Sequence, residues 1–138
     1  MLYRNKKKED PNAGKWIGIG GHQEEGESPL DCVRREFLEE TSLRVKDLRL
    51  AGLIQFLFED YEDELTFCYT ADGFEGELND SCSEGDLAWI PEEEILSLSL
   101  WEGDRLFLPR LRENAPLFSL KLVYDARGAL IASVWEDI

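Results

Sequence analysis

The sequence has few of the residues that build zinc sites or disulfide frameworks. It contains one histidine, His22, and three cysteines, none of them in a CxxC pair. A structural zinc site needs a full set of such ligands at regular spacing. An odd number of isolated cysteines is typical of reduced thiols inside the cell. The composition therefore argues against both kinds of site and favours a cytoplasmic protein.

Positive charge is also scarce, since 15 Lys and Arg face 30 Asp and Glu, a formal net charge of −15. Such a balance disfavours binding to nucleic acid polymers or to anionic membranes. Small phosphorylated ligands remain compatible, because a bound divalent cation reverses the local sign of charge. The opening MLYRNKKKED has no apolar segment of the signal-peptide kind, and no run reaches membrane-spanning length. We expect neither a nucleic acid nor a membrane partner.

The length and apolar content predict one domain over residues 1–138, since 138 residues at 43% hydrophobic content suffice for one core. Period-two and apolar runs predict strands at 48–60, 64–71, 87–90, 118–125 and 129–137. Residues 72–86 read as a loop, and a helical turn starts at Pro91. A later helix is predicted over 101–114, with Leu106, Leu108 and Leu111 facing the core and a kink at Pro109. The mixed order of strands and helices indicates an α+β or α/β fold.

The stretch GGHQEEGESPLDCVRREFLEETSL, residues 20–43, holds seven carboxylates and two basic side chains. Ser28 predicts a helix N-cap and Pro29 the first helical residue. Glu36, Glu39 and Glu40 then fall within an arc of about 100° on one side of the helix. One interpretation is a solvated acidic face. The other is a site for a hard cation, because clustered carboxylate oxygens suit Mg²⁺ or Mn²⁺.

The same stretch resembles the Nudix box, G-x5-E-x7-R-E-U-x-E-E-x-G-U, in which U is a bulky apolar residue. The matching positions are Gly21, Glu27, Arg35, Glu36, Phe37, Glu39, Glu40 and Leu43. Ser42 departs from the pattern, because it stands where the family has a glycine that helps to end the helix. We therefore expect some strain in a left-handed cap at Ser42.

The resemblance implies an α+β fold of the α/β/α sandwich type, with a mixed sheet between helices and the box forming a loop–helix–loop over 21–43. It places Glu36, Glu39, Glu40 and Arg35 in the catalytic centre, and it favours Glu36 as the group that activates water. The implied ligands of Mg²⁺, or of Mn²⁺ in its place, are the Gly20 carbonyl, Glu36, Glu39, Glu40 and Glu84. Gly21, Glu27 and Arg35 are the structural residues of the motif, with Glu27 and Arg35 pairing to brace the loop. A solvated loop acid is the alternative for Glu84.

The segments GKWIGIGGHQEEGE and LWEGDRLFLPRL resemble the MutT-type branch that hydrolyses oxidised purine nucleoside triphosphates. By position, this branch implies substrate contacts from Trp101, Asp104, Phe56 and His22. The alternatives are a core or rim aromatic for Trp101, a core residue for Phe56 and an exposed side chain for His22. Some relatives have a base-reading Asn where this chain has Ile17, so the resemblance does not extend to base selectivity.

The implied activity is that of an Mg²⁺-dependent nucleotide pyrophosphohydrolase, a hydrolase of phosphoric anhydride bonds. Its expected substrate is an oxidised purine nucleoside triphosphate such as 8-oxo-dGTP, which gives the monophosphate and pyrophosphate. The alternatives are another nucleoside diphosphate derivative as substrate, or a catalytically silent nucleotide-binding domain. A monomer or a homodimer is expected.

The amino-terminal segment carries two further expectations. Relatives have a complete strand where this chain begins with MLYR, so we expect the first strand of the family to be missing. Either a longer native product exists, which is our hypothesis, or another element or subunit fills the gap. The intact mass of the endogenous protein tests this. The basic run RNKKK either steers phosphates towards the site or is simply solvated.

Overall fold

Eight strands and two α-helices lie within residues 1–112 and 114–137, which the computed structural model describes. The strands are β1 (Leu2–Arg4), β2 (Trp16–Ile17), β3 (Arg44–Phe58), β4 (Glu64–Glu75), β5 (Ser81–Cys82), β6 (Gly85–Leu87), β7 (Phe118–Tyr124) and β8 (Leu130–Glu136). The α-helices are α1 (Pro29–Thr41) and α2 (Asp104–Phe107), and 3₁₀ turns lie at Glu92–Ser97 and Leu108–Arg110. Within these residues, no helix is both long and apolar enough to cross a membrane.

The first sheet has the strand order β2-β1-β6-β5, and all its pairings are antiparallel. Leu2 of β1 lies opposite both Ile17 and Leu87, and it is 1% exposed. At Gly85, a Cβ atom would stand 1.8 Å from the carbonyl oxygen of Tyr3. The two strands approach so closely at this point that only glycine fits without moving the backbone.

The second sheet has the order β4-β3-β7-β8 and is mixed, since β3 and β7 are parallel whereas β7 and β8 are antiparallel. Every second residue of β7 is buried: Phe118, Leu120, Leu122 and Tyr124. This alternation is what a strand with one face on a core requires. The predicted α+β class is confirmed, but the strands divide between two sheets, and only the second is mixed.

The chain divides into two compact units. The first comprises Met1–Asp47 and Ala71–Leu100, and the second comprises Leu48–Thr70 and the described part of Trp101–Ile138. In the second unit, Leu106, Leu108 and Leu111 pack against a buried core, as the sequence predicted. The single domain over residues 1–138 stays a prediction.

The strands predicted at 48–60, 64–71, 118–125 and 129–137 are confirmed with shifts of up to four residues, but the predictions for residues 72–90 are wrong in part. The predicted loop at 72–86 contains the end of β4, all of β5 and most of β6. The strand predicted at 87–90 includes one strand residue, Leu87. The short polar strands β5 and β6 exist because β1 pairs with β6, and this long-range pairing is invisible in local composition.

The helix predicted over 101–114 is shorter than expected. Residues 104–107 are α-helical and 108–110 continue as a 3₁₀ turn, while Glu113 lies outside the described residues. The change from α to 3₁₀ geometry occurs where Pro109 removes a backbone donor, which agrees with the predicted kink.

Candidate active site

The predicted start of α1 is confirmed. The Ser28 hydroxyl oxygen accepts a hydrogen bond from the Asp31 backbone N–H at 3.1 Å. In return, the Asp31 carboxylate accepts one from the Ser28 backbone N–H at 3.1 Å, and Pro29 is the first helical residue. This reciprocal capping box satisfies two backbone donors that the helix itself leaves unpaired.

The end of α1 shows how the chain accommodates serine in place of glycine. Ser42 adopts φ 66° and ψ 10°, the left-handed conformation that was expected to strain a non-glycine residue. Its side-chain oxygen accepts a hydrogen bond from Asn79 Nδ2 at 2.7 Å. A hydrogen bond of this kind contributes about 1 kcal/mol, comparable to the roughly 1–2 kcal/mol that the left-handed conformation costs.

The Arg35 guanidinium contacts four acidic side chains and one backbone carbonyl group of the box. Both oxygens of Glu27 accept hydrogen bonds from Nε and Nη2, the second at 3.1 Å. Nη1 donates to Glu36 Oε1 at 2.8 Å and to Glu39 Oε2 at 3.2 Å. The remaining contacts are the backbone oxygen of His22, at 3.1 Å from Nη2, Glu24 Oε1, at 3.6 Å from Nη1, and Cys32 Sγ, at 3.9 Å from Nη2.

These contacts shift the pKa values of Glu27 and Arg35 in the directions that keep both side chains charged. The hydrogen bond from Arg35, followed by that from the Glu24 backbone, holds the pKa of Glu27 below its usual value. The hydrogen bonds to Glu27 and Glu36 raise the pKa of Arg35. The side chains of Glu27 and Arg35 are 15% and 21% exposed, so this ion pair ties the loop before α1 to the helix at a largely covered position.

Gly21 has no side chain and so leaves room for the Glu36 carboxylate against this loop. A Cβ atom on Gly21 would lie 2.5 Å from Cδ and from Oε1 of Glu36. The Glu36 side chain is 17% exposed, because it fills the space that any other residue at position 21 would occupy. A Cβ at position 21 would therefore displace the Glu36 carboxylate, whereas the φ of Gly21 is not in the left-handed region and does not itself call for glycine.

Glu40 faces two other carboxylates. Burial is the main cause that raises the pKa of Glu40 to about 7, and the charges of Glu84 and Glu36 and a side-chain hydrogen bond with Glu84 add to it. A backbone hydrogen bond from Gly20 acts in the opposite direction. Oxygen Oε2 of Glu40 is buried and has no hydrogen-bond partner. Buried carboxylate oxygens are almost always bonded to a donor or a cation, so this oxygen marks an incomplete site.

Glu84 is held by two cations and is not a freely solvated loop acid. Its Oε2 lies 3.5 Å from Arg4 Nη1 and its Oε1 lies 3.3 Å from Lys7 Nζ. Sequence reasoning missed this contact, although the basic run RNKKK was the signal that pointed to it. The run is thus in part a set of ion-pair partners for the acids of the first unit.

The carboxylates of the described residues are of the type that binds a divalent cation, but they do not form a complete coordination site. In the described ranges, no group of three or more Asp, Glu, His or Cys side chains is arranged so that it could hold a metal ion. Glu40 interacts with both Glu36 and Glu84, whereas Glu39 contacts Arg35 and is 60% exposed. The carboxylate oxygens and the unpartnered Glu40 Oε2 are the donor set that Mg²⁺ prefers.

The predicted substrate-contacting residues lie mostly in the second unit, at the edge of its core. Trp101 is half-buried and meets Tyr124 edge-on at 5.6 Å, and Phe56 stacks on Phe58 at 6.0 Å. Trp101 and Phe56 both pack against the buried cluster, in keeping with the alternative of core or rim aromatics. Asp104 begins α2.

His22 belongs to the first unit, and its side chain is exposed. Its backbone oxygen, which accepts from Arg35, makes the contact that ties this residue to the box.

Comparison with protein-family models assigns the chain to a family. The NUDIX domain model matches residues 1–111, which is more than half of the chain. The chain belongs to the Nudix family. The resemblance inferred from the box is thereby confirmed, and so is the prediction of an enzyme: Nudix hydrolases act on pyrophosphate bonds of nucleotide derivatives.

Individual Nudix proteins resemble the chain over most of its length. The uncharacterised Nudix hydrolase YvcI of Bacillus subtilis is 32% identical over 126 residues, 88% of this chain and 80% of that protein. The oxidized purine nucleoside triphosphate hydrolase of Danio rerio is 38% identical over 110 residues, 78% of this chain and 69% of that protein. The crystal structure of the MutT protein from Bacillus halodurans superposes with a TM-score of 0.86 at 28% identity, covering 98% of this chain and 88% of that one. The predicted Nudix fold is confirmed.

Proposed function

We propose that the protein is an Mg²⁺-dependent nucleotide pyrophosphohydrolase that converts oxidised purine nucleoside triphosphates, such as 8-oxo-dGTP, to the monophosphate and pyrophosphate. The observation that carries this proposal is the buried, unpartnered Oε2 of Glu40, whose carboxylate faces both Glu36 and Glu84. The similarity to the Danio rerio hydrolase supports the substrate class.

The proposed cation ligands are Glu36, Glu39, Glu40, Glu84 and the carbonyl of Gly20. A divalent ion bound there would neutralise phosphate charge and lower the pKa of a bound water. Glu39 would leave its contact with Arg35 to reach the ion, which its exposure permits. Mn²⁺, an oxygen-seeking ion of similar preferences, is expected to replace Mg²⁺.

Glu36 is the residue that we assign to take the proton from the attacking water. Arg35 Nη1 binds its Oε1 and Gly21 lines its carboxylate, so the orientation of the side chain is set before substrate arrives. Proton transfer by a carboxylate is efficient only when that carboxylate is held within hydrogen-bond reach of the water. We assign Oε2 as the proton acceptor, because Arg35 occupies Oε1.

Trp101, Asp104, Phe56 and His22 are the proposed substrate contacts. The aromatic rings offer stacking surfaces for a base, and Asp104 offers an acceptor for its donors. His22 is exposed, as contact with a phosphate would require. The cytoplasmic location and the oligomeric state, monomer or homodimer, remain predictions.

A nucleotide panel tests the proposed substrate class. With Mg²⁺ present, pyrophosphate release is expected to show a kcat/KM for 8-oxo-dGTP that is roughly tenfold or more above that for dGTP. The panel includes a sugar nucleotide and a cap-like dinucleotide, which release no pyrophosphate, so their turnover is followed by chromatography of the nucleotide products. Turnover of one of these alone would favour another nucleoside diphosphate derivative as substrate. Nucleotide binding without any turnover would favour a silent binding domain.

Metal binding has a test that needs no substrate. Saturating Mg²⁺ should raise the melting temperature, since the cation relieves repulsion among Glu36, Glu40 and Glu84. At about 100 times the dissociation constant the stabilisation is ~2.7 kcal/mol, or roughly 10 °C for a chain of this size. Differential scanning fluorimetry of Glu40→Gln should show a much smaller shift.

The control for this measurement is Glu92→Gln, which removes an exposed carboxylate from the 3₁₀ turn. It should keep the full Mg²⁺ shift. No shift in the wild type, or an equal shift in Glu40→Gln, would contradict the assignment of the metal site.

A further inference from the structure

Arg4 reaches the acidic site from the end of β1. The strand register pairs Arg4 with Gly85, so the residue before Gly85, Glu84, lies next to the Arg4 side chain. Nη1 of Arg4 lies 3.5 Å from Oε2 of Glu84. Glu84 in turn interacts with Glu40, so Arg4 directly contacts one proposed cation ligand, Glu84, and is linked through it to Glu40.

Asp10 holds the Arg4 guanidinium in this position. Nε of Arg4 donates to Asp10 Oδ2 at 2.7 Å, and the Asp10 side chain is 3% exposed. The other oxygen, Oδ1, accepts from the Asn12 backbone N–H at 3.0 Å. The backbone of Arg4 is fixed too, since its carbonyl oxygen accepts from Gly14 N at 2.9 Å. Arg4 is therefore a rigid cation with a 14% exposed side chain.

Lys7 contacts the same carboxylate in a different manner. Its Nζ lies 3.3 Å from Glu84 Oε1, but its side chain is 52% exposed. A lysine on a flexible stem at such exposure supplies charge without fixing geometry. Arg4 and Lys7 thus offer a matched pair: equal charges on one carboxylate, of which one is anchored and the other is mobile.

We propose that Arg4 is a positioning residue that, anchored by Asp10, orients Glu84 towards Glu40 and thereby sets the affinity of the site for a divalent cation. The inference rests on the proposed function, because Glu84 matters for binding only if it is a ligand. Partners that orient metal ligands commonly change metal affinity by about 10–100-fold when they are mutated. A nearby positive charge by itself opposes cation binding, so positioning and charge predict opposite effects of removing Arg4.

The test is Mn²⁺ binding to the intact protein without nucleotide, with free Mn²⁺ followed by electron paramagnetic resonance. Arg4→Gln should weaken Mn²⁺ binding about tenfold or more. Lys7→Gln, which removes the same charge, should leave the affinity unchanged or raise it. Arg4→Lys keeps the charge but loses the forked guanidinium that joins Asp10 to Glu84, so this variant should bind Mn²⁺ more weakly than wild type. It also serves as the test if Arg4→Gln misfolds. Glu84→Gln marks the loss expected when the ligand itself is removed.

Weaker binding in both Arg4 variants, with no weakening in Lys7→Gln, supports the inference. Equal behaviour of Arg4→Gln and Lys7→Gln, or wild-type affinity in Arg4→Lys, overturns it while leaving the proposed activity intact. Wild-type affinity in Glu84→Gln overturns it too and removes Glu84 from the proposed ligands. A wild-type protein that binds no Mn²⁺ overturns the proposed function and this inference with it. Thermal unfolding without metal shows whether any variant has lost its fold.

Discussion

Glu36→Gln is expected to lower the rate of pyrophosphate release about 10²–10⁴-fold, the range typical for loss of a positioned general base. The amide keeps the size of the side chain but cannot take a proton from water, and it is a poorer ligand for a hard cation. The hydrogen bond from Arg35 Nη1 to Glu36 Oε1 orients this carboxylate, and the absence of a Cβ at position 21 leaves room for it. Pyrophosphate release with saturating nucleotide and Mg²⁺ measures the effect.

Two further variants separate chemistry from folding. Glu25→Gln removes an exposed acid from the loop before α1 and should keep wild-type activity. Gly21→Ala keeps the acid at position 36 but displaces it, because the new Cβ would lie 2.5 Å from the carboxylate; kcat should therefore fall while the protein stays folded. If Glu36→Gln retained wild-type rates and a wild-type melting temperature, Glu36 would not be the base.

Gly85→Ala is expected to cost at least about 3 kcal/mol of unfolding free energy, at the upper end of the range for overpacking. The added Cβ would stand 1.8 Å from the oxygen and 2.8 Å from the carbonyl carbon of Tyr3. These are backbone atoms of β1, so they cannot turn aside as a side chain does. Relief requires that β1 and β6 separate, which breaks the centre of the first sheet. Urea unfolding measures the loss.

Gly18→Ala is the matched control for this change. A Cβ on Gly18 meets no atom within 4 Å, and its φ lies outside the left-handed region. Its unfolding free energy should stay within about 0.5 kcal/mol of the wild type. Similar losses in the two variants would mean that the effect at Gly85 is a general cost of replacing glycine, not a clash between strands.

The helix that carries the acids was predictable because its signals are local. Ser28, Pro29 and Asp31 lie within four positions of one another, and each acts on the backbone of the same turn. The spacing of Glu36, Glu39 and Glu40 likewise follows from helical periodicity. Local signals do not explain the carboxyl end of this helix. There, a hydrogen bond from Asn79, a residue distant in sequence, helps to stabilise the left-handed conformation of Ser42.

The short strands were not predictable, because their pairing comes from contacts between residues far apart in the chain. Gly85 and Asp86 have the composition of a turn, yet β1 supplies their partners across more than eighty residues. The same pairing brings Arg4 to Glu84, so the role of the basic run also depends on the sheet.

The sequence by itself determined the family, the acidic helix and the candidate metal-binding acids Glu36, Glu39 and Glu40, since all three depend on residue types at fixed short spacings. Only the tertiary structure decided which acids meet: Glu40 faces Glu84 and Glu36, whereas Glu39 contacts Arg35. It also decided that Gly21 is needed to make room for Glu36 and that Arg4 is held by Asp10. The physical reason is that ionic and steric contacts depend on distance in space, and the chain sets that distance only when its strands have paired.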